Sequence, residues 1–249
     1  MQFSIIIPTL NEAKYIENLL QDLKQQDSSD FEIIHVDGKS EDDTCEIVKS
    51  FSSKLTITTI YSDRRNLSYQ RNIGAEHAKG KYLIFIDADT RLSQLSFLSK
   101  LSTESKQSRN LIYFAKVRVA EKDPALRLAF SLYNDAIGVS QLFSSPLPTQ
   151  GLAIFERNFF YHLSGYKVSE RHEKKVLFAE DQELLKRARG VGVTGRALPN
   201  IYYIMSLRRY KREGWLGVFP KLLLSTIEQS VGRSFIESEY EMGGHLYNT

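Results

Sequence analysis

The sequence of 249 residues has little of what marks disulfide-rich, fibrous, disordered or membrane-spanning proteins. A single cysteine, Cys45, cannot form a disulfide within the chain, so a disulfide framework is excluded and a reducing compartment is expected. With 6 prolines and 14 glycines, the composition is not that of a collagen or a low-complexity chain. The most apolar stretch, Leu216 to Ile227, is interrupted by Pro220 and Lys221 and falls short of the roughly 20 residues that span a bilayer. We therefore predict a cytoplasmic protein.

The sequence also lacks an excess of either charge. It has 33 Lys and Arg against 30 Asp and Glu, a formal net charge of +3. This near balance argues against a nucleic-acid-binding protein, although it leaves room for a local basic patch. The histidines show no zinc-site spacing, and we interpret each of them as structural. They are His35, His77, His162, His172 and His245.

Apolar, β-branched runs alternate with segments of helical periodicity in the first part of the chain. This alternation is typical of βαβ units and predicts a parallel sheet whose strands are buried on both faces. A further helix is predicted over Pro124–Phe143. The predicted strands are Phe3–Ile7, Phe31–Val36, Leu55–Tyr61 and Lys81–Ile86; helices are predicted over Ile16–Leu23, over Cys45–Phe51 after a capping box at Ser40–Asp43, and near Gly74–Lys79.

Polar residues follow three of these strands, where open α/β sheets bind their ligands. Asp87 and Asp89 come directly after an apolar strand and, being two residues apart, point to the same side. Two carboxylates this close repel each other unless a cation lies between them. Mg²⁺ or Mn²⁺ suits such oxygen ligands and in turn holds a diphosphate. For Asp37, which follows the second strand, a turn or capping role is an equally good interpretation.

Two common phosphate-binding motifs are absent. No Gly-x-x-x-x-Gly-Lys-Ser/Thr loop is present, which argues against a P-loop NTPase. No Gly-x-Gly-x-x-Gly follows the first strand, which argues against a dinucleotide cofactor.

Five blocks of sequence, in order, resemble the family 2 glycosyltransferases, which have the GT-A fold. Each block is weak alone, but their order is specific. The blocks are Ser4–Glu12, Val36–Thr44, Arg71–Tyr82, Phe85–Asp89 and, with gaps, Gly151–Asp181.

The resemblance implies a fold and a division of the chain. The fold is of the α/β class and GT-A type, with a Rossmann-like, mostly parallel central sheet flanked by helices, a smaller acceptor-side region and a C-terminal helical segment. The chain is then a single glycosyltransferase domain: residues 1–92 are the nucleotide-sugar-binding half, 93–205 the acceptor and catalytic half, and 206–249 a basic, helical C-terminal segment.

The resemblance also implies roles for individual residues. Asp89 is expected to bind the divalent cation, and Asp87 to approach it, its bound water or the ribose. Asp181 is expected to be the general base, with Glu180 beside it. Without the resemblance, these two acids would be read as residues that favour a helix N-terminus. The remaining expected contacts are with the donor nucleotide, from Pro8, Thr9 and Glu12, from Asp37 to the base, and from Arg71 to the base or the phosphates.

One departure from the family pattern leaves the donor base open. The family usually has a second acid or Gly-Ser after the acid of the second block, whereas Gly38 and Lys39 follow Asp37 here. Lys39 is a candidate phosphate contact. UDP-type and GDP-type donors therefore remain equal predictions.

The basic run Ser206–Arg212 has three interpretations. Arginine forks match phosphate oxygens, so Arg208 and Arg209 are candidates to close over the diphosphate. Trp215 and Leu216, with other apolar residues after them, would suit a peripheral contact with the cytoplasmic face of a membrane. A solvated basic surface is the third interpretation.

The function predicted from these residues is a metal-dependent, inverting transfer of a sugar from a nucleotide-diphospho-sugar to a hydroxyl of a glycan, glycolipid or small molecule. Polyprenyl phosphate is the alternative acceptor. A nucleotidyltransferase and a non-catalytic sugar-nucleotide-binding module are the alternatives of another class. The sequence makes no prediction about the oligomeric state.

Overall fold

A computed structural model of the chain describes residues 1–140, 147, 151–168, 175–177, 180–208 and 237–239, with the backbone alone for 175–177 and 237–239. Helices and strands alternate along most of this length. The elements are β1 (Phe3–Thr9), α1 (Ala13–Lys24), β2 (Phe31–Asp37), α2 (Thr44–Ser50), β3 (Ile57–Tyr61), α3 (Leu67–Glu76), β4 (Tyr82–Ile86), α4 (Phe97–Ser108), β5 (Ile112–Val119), α5 (Pro124–Ser140), β6 (Leu152–Glu156), α6 (Arg157–His162), β7 (Lys175–Leu177), α7 (Glu180–Gly190), β8 (Arg196–Met205) and β9 (Glu237–Glu239).

A seven-stranded sheet in the order β3-β2-β1-β4-β6-β5-β8 forms the centre of the fold. The strands β1 to β4 pair in parallel, as predicted. The strand β6 runs antiparallel to both of its neighbours, β4 and β5, and β8 pairs in parallel with β5. It follows that β8 runs in the same direction as β4. The carboxyl ends of β1, β2, β4 and β8 therefore meet at one edge of the sheet.

Both faces of the sheet are covered by helices. On one face, Ile5 and Ile7 of β1 pack with Leu19 of α1 and Leu98 of α4. On the other face, Ile6 packs with residues of α3, α6 and α7, such as Phe160. Alternate residues of one strand thus lie in different cores, which confirms the prediction of burial on both sides for β1, β2 and β4. The prediction is wrong for β3, which is an edge strand and is half-buried or exposed along its length.

The strand β1 is longer than predicted. The sequence placed its end before Pro8, but the pairing with β2 continues to Thr9. The pairing of β1 with β4 ends at Ile6, before Pro8. The backbone N–H that proline lacks therefore interrupts no hydrogen bond to β4.

Helix starts also differ from the prediction, and α1 begins three residues before the predicted Ile16, at Ala13. The helix α3 begins at Leu67 rather than near Gly74, because the side chain of Asn66 caps it by accepting a hydrogen bond from the Tyr69 N–H at 3.0 Å. The capping box predicted at Ser40 is wrong, because Asp43 is the N-cap of α2 and makes no capping hydrogen bond with its side chain. The hydroxyl of Ser40 instead donates to Asp37 at 2.6 Å.

The remaining differences are at element ends. The strand β3 begins two residues later than predicted, at Ile57, and α5 is described up to Ser140. Residues 141–143 of that predicted helix, and most of the predicted C-terminal helical segment, lie outside the described residues. The division at residues 92 and 205 stays a prediction. In the part of the chain that the structure describes, no helix combines the length and apolar character needed to cross a membrane.

Candidate active site

The two acids after β4 lie at the carboxyl edge of the sheet. The Asp87 N–H donates to the Gly151 carbonyl at 3.0 Å, which ties the end of β4 to the start of β6. The side chain of Asp87 is 37% exposed and that of Asp89 is 15% exposed. Burial raises the pKa of Asp89 above its usual value, Arg208 opposes this shift, and the nearby charge of Asp87 adds to it. The negative charge of Asp87 thus acts on Asp89 in the direction expected of two neighbouring carboxylates.

The chemistry of this pair suits a divalent cation that is completed by substrate. Within the described ranges, no group of three or more His, Cys, Asp and Glu side chains forms a complete metal site. Mg²⁺ and similar cations are commonly held by one or two carboxylates together with substrate phosphates and waters. Asp87 and Asp89 provide that number of carboxylates, so the donor set fits a cation bound together with a diphosphate.

Arg208 lies against the same acids. Its guanidinium donates to both carboxylate oxygens of Glu12, at 3.0 Å each, and lies 3.2 Å from Asp89 Oδ2. It also stacks on the ring of Tyr15, 4.8 Å from the centroid. Burial raises the pKa of Glu12 to about 7, although Arg208 acts to lower it. Since Arg208 lies three residues beyond β8, the direction of that strand is what places it at the site.

A second arginine, Arg71, is buried at the centre of the site with 3% of its side chain exposed. Its guanidinium forms ion pairs with Asp87, at 2.9 Å, and with Glu180, and lies 3.7 Å from Asp181. Burial acts to lower the pKa of Arg71, but the three carboxylates outweigh it and hold the pKa well above its usual value. The sequence predicted that Arg71 contacts the donor base or phosphates. In the structure, Arg71 lies between Asp87 and the first turn of α7.

The first turn of α7 carries both candidate bases. Burial raises the pKa of Glu180 to about 6, Arg71 acts against this shift, and Asp181 adds to it. The buried carboxylate of Asp181 accepts a hydrogen bond from the hydroxyl of Tyr166 at 2.9 Å. Tyr166 is held in turn by Asn72, whose side chain pairs with its backbone N–H and carbonyl at 2.9 and 2.8 Å. The predicted helix start at Glu180 is confirmed.

Three of the residues predicted to contact the donor nucleotide are buried below the acids of the candidate active site. Pro8 and Thr9 are buried in β1, and Asp37 is 1% exposed. The carboxylate of Asp37 accepts hydrogen bonds from Thr9 Oγ1 at 3.1 Å, from Ser40 N at 2.9 Å and from Ser40 Oγ at 2.6 Å. It therefore organises the loop after β2, and the turn-forming interpretation of Asp37 matches its contacts.

The structure thus joins some of the predicted site residues and separates others. It brings Glu12, Asp87, Asp89 and Arg208 together, and joins Asp87 through Arg71 to Glu180 and Asp181. Arg209 lies outside the described residues. Tyr15, Asn72 and Tyr166 were not predicted as site residues, although Arg71-Asn72 and Gly165-Tyr166 belong to the matching blocks.

His35 is buried on β2 behind Thr9. Its Nε2 lies 2.8 Å from Thr9 Oγ1 and its Nδ1 lies 3.3 Å from Thr59 Oγ1. Because the one hydroxyl proton of Thr9 goes to Asp37, we assign the ring proton to Nε2 of a neutral imidazole. Burial lowers the pKa of His35 from 6.5 to about 4, against the opposing charge of Asp37.

This burial predicts a pH-dependent stability. Below pH 6.5 the unfolded chain takes up a proton at His35 that the folded protein does not, so stability is full above that pH and falls as the pH approaches 4. Between pH 8 and pH 5 the free energy of unfolding should drop by about 2 kcal/mol more in the wild type than in His35→Gln, which cannot titrate. Urea denaturation at several pH values measures this difference. Parallel pH curves for the two proteins would rule out the assignment.

Comparison with known proteins relates the chain to one family. Residues 4–164 match the family model described as glycosyl transferase family 2. The chain is 34% identical over 98 residues to the poly(ribitol-phosphate) β-N-acetylglucosaminyltransferase TarS of Staphylococcus aureus, over 38% of this chain and 17% of that protein. It is 36% identical over 102 residues to a PGL/p-HBAD biosynthesis glycosyltransferase of Mycobacterium bovis, over 40% of each.

Two solved structures have a similar fold. The mannosyltransferase PcManGT of Pyrobaculum calidifontis, in complex with GDP-Man and Mn²⁺, gives a TM-score of 0.73 at 20% identity, over 94% of this chain and 65% of that one. TarS 1-349 in complex with UDP-GlcNAc gives 0.64 at 22% identity, over 82% and 58%. These matches confirm the predicted fold of the GT-A type. The chain covers less than half the length of the two curated relatives.

Proposed function

The chain belongs to glycosyl transferase family 2, and from this premise we propose that it transfers a sugar from a nucleotide-diphospho-sugar to a hydroxyl acceptor, with inversion at the anomeric carbon and with the help of a divalent cation. Membership of the family makes the chain a glycosyltransferase. The nucleotidyltransferase and the non-catalytic binding module therefore lose their support.

One observation carries the proposal: a single buried arginine connects the two groups of acids that the reaction needs. Arg71 pairs with Asp87 on the donor side and with Glu180 at the start of α7. Residues far apart in sequence are thereby fixed at one edge of the sheet. The carboxylate proposed to take the acceptor proton and one of the acids proposed to face the departing diphosphate therefore lie near the same guanidinium.

We propose Asp181 as the general base. It would take the proton of the acceptor hydroxyl while that oxygen bonds to the anomeric carbon. The bond from that carbon to the phosphate oxygen breaks, and the nucleoside diphosphate leaves with the electron pair. The Tyr166 hydroxyl bonds to Asp181 and holds it in place, while Arg71 and Glu180 fix the turn that carries it. One positioned carboxylate is sufficient for such proton transfer.

On the donor side, we propose that Asp89, with Asp87, holds the divalent cation. When bound, the cation would neutralise the charge that develops on the leaving diphosphate. Arg208 is close enough to these acids to contact the same diphosphate, since it lies 3.2 Å from Asp89. This favours the phosphate interpretation of Arg208 over a plain surface role.

The donor is proposed to be of the UDP or GDP type. Structural relatives are in complex with UDP-GlcNAc and with GDP-Man and Mn²⁺, which supports a sugar nucleotide and a divalent cation here. The two relatives differ in base, and Asp37 is enclosed by its own loop, so the choice of base rests on experiment.

A titration panel tests the proposal. We expect UDP or GDP, with Mn²⁺ or Mg²⁺, to bind at least about tenfold more tightly than CDP and dTDP in calorimetry, a difference of about 1.4 kcal/mol. The matching sugar nucleotides should then be consumed when an acceptor is supplied. Absence of binding for all four nucleotides with either cation would contradict the proposed donor class.

A further inference from the structure

The guanidinium of Arg208 lies against Asp89, the carboxylate that we propose as a ligand of the divalent cation. Its guanidinium is clamped by both oxygens of Glu12 and reaches Asp89 Oδ2 at 3.2 Å. We infer that Arg208 is a built-in counter-cation: it neutralises the acids of the donor site while the nucleotide is absent, and it leaves Asp89 when the divalent cation and the diphosphate arrive. This inference rests on the proposed function of the site.

Several contacts fix the conformation of the Arg208 side chain. The two hydrogen bonds to Glu12 are of the bidentate type, which fixes the plane of the guanidinium. The ring of Tyr15 lies under that plane. Of the Arg208 side chain, 20% is exposed. Such a position is more specific than that of a solvated surface arginine.

Arg208 and a divalent cation compete for the carboxylate of Asp89. A divalent cation binds the carboxylate oxygens directly, and one of these oxygens already faces the positive guanidinium. The positive charges would also repel each other over a short distance at a site that is only partly exposed to water. A divalent cation that binds Asp89 Oδ2 therefore has to displace Arg208 from that oxygen.

The diphosphate supplies the partner that makes this withdrawal favourable. Arginine binds phosphate oxygens at least as readily as carboxylates, through the same fork of N–H groups. Arg208 can thus exchange Asp89 for a phosphate oxygen when the nucleotide enters. The nucleotide and the divalent cation should then each strengthen the binding of the other, and this coupling is reciprocal by thermodynamic necessity. Without a nucleotide, Arg208 opposes cation binding.

The experiment measures Mn²⁺ affinity of the nucleotide-free protein, by the electron paramagnetic resonance signal of free Mn²⁺. Arg208→Gln should bind Mn²⁺ about tenfold or more tightly than the wild type, in line with the loss of one charged hydrogen bond that competes for Asp89. Arg208→Lys should lie between them, because lysine keeps the charge but not the fork. With UDP or GDP present, the gain in Mn²⁺ affinity caused by the nucleotide should be smaller in Arg208→Gln than in the wild type.

Arg157→Gln is the matched control. Arg157 follows β6 and therefore lies at the edge of the sheet opposite the candidate active site, where its guanidinium donates a hydrogen bond to the Ala78 carbonyl. Its replacement by glutamine removes one positive charge, as Arg208→Gln does. The Mn²⁺ affinity of Arg157→Gln should equal that of the wild type. Thermal denaturation checks that each variant is folded, and if Arg208→Gln fails to fold, Arg208→Lys carries the test.

Two results overturn the inference, and they are distinguishable. If the wild type binds Mn²⁺ with the nucleotide but the Arg208 variants bind it no more tightly without the nucleotide, only the role of Arg208 as a counter-cation is wrong. If Mn²⁺ does not bind to any of the proteins even with UDP or GDP, the proposed cation site falls and the inference falls with it.

Discussion

Replacing Asp181 by asparagine should lower kcat by about 10²- to 10⁴-fold, the usual contribution of a positioned general base. The amide has nearly the shape of the carboxylate and still accepts a hydrogen bond from Tyr166, but it cannot take the acceptor proton. Nucleotide affinity should stay within about threefold of the wild type, because the change removes an interaction of the transition state rather than of donor binding. Steady-state kinetics and a nucleotide titration measure the two quantities.

Glu183→Gln is the control for this variant. Glu183 is a buried carboxylate two residues further along α7, but it pairs with Arg187 and Lys167 instead of Arg71. Its replacement should lower the melting temperature and leave kcat nearly unchanged. A loss of kcat equal to that of Asp181→Asn would show that any disturbance of α7 impairs the reaction.

The same experiment separates the two acceptor classes. An acceptor hydroxyl must lose its proton during the transfer, whereas the phosphate of a polyprenyl phosphate is already ionised and needs no base. Near-full turnover of Asp181→Asn would therefore remove the base assignment, and near-full turnover of Glu180→Gln as well would favour a phosphate acceptor. A third outcome is full loss in Glu180→Gln with little effect in Asp181→Asn. It would move the role of base to Glu180, whose pKa of about 6 also suits proton transfer near neutral pH.

Local sequence patterns were sufficient for much of the fold. The apolar runs that became β1, β2 and β4 are continuous because both faces of the sheet are covered, and acids follow them where a parallel sheet opens to ligands. The positions of Asp87 and Asp89 at the sheet edge could therefore be predicted from sequence. The start of α7 at Glu180 could be predicted as well, because two acids favour a helix N-terminus. The direction of β6 could not, because reversal depends on pairing with β4 rather than on the strand's own residues.

Long-range contacts explain what the sequence left undetermined at the site. Arg208 reaches Glu12 across 196 positions, and Arg71 reaches Glu180 across 109, so neither pair leaves a local signal. The enclosure of Asp37 is a different case. Its partner Ser40 is only three residues away, but Ser40 fits a helix cap and a loop contact equally well in sequence. The structure shows Asp43 as the N-cap of α2, so Ser40 has the role of a loop contact and not of a helix cap.

Replacing Asp89 by asparagine should abolish the part of nucleotide binding that depends on the divalent cation. The loss of groups that merely orient a metal ligand already costs about 10- to 100-fold in metal affinity, so we expect at least about a 100-fold loss for the ligand itself. Asparagine has the shape of aspartate but not its charge, and Arg208 keeps its two hydrogen bonds to Glu12. The fold should therefore be preserved.

Calorimetry with and without the cation isolates this effect. In EDTA Asp89→Asn should bind UDP or GDP at least as tightly as the wild type, because it lacks a carboxylate that repels the diphosphate and competes for Arg208. With Mn²⁺, only the wild type should gain affinity. Asp43→Asn, a change of an exposed acid at the N-cap of α2 that makes no capping bond with its side chain, should behave like the wild type in both conditions. An equal gain in Asp89→Asn would mean that the cation is held by the diphosphate and other groups, and Arg208 would then neutralise Asp89 permanently rather than exchange with a metal.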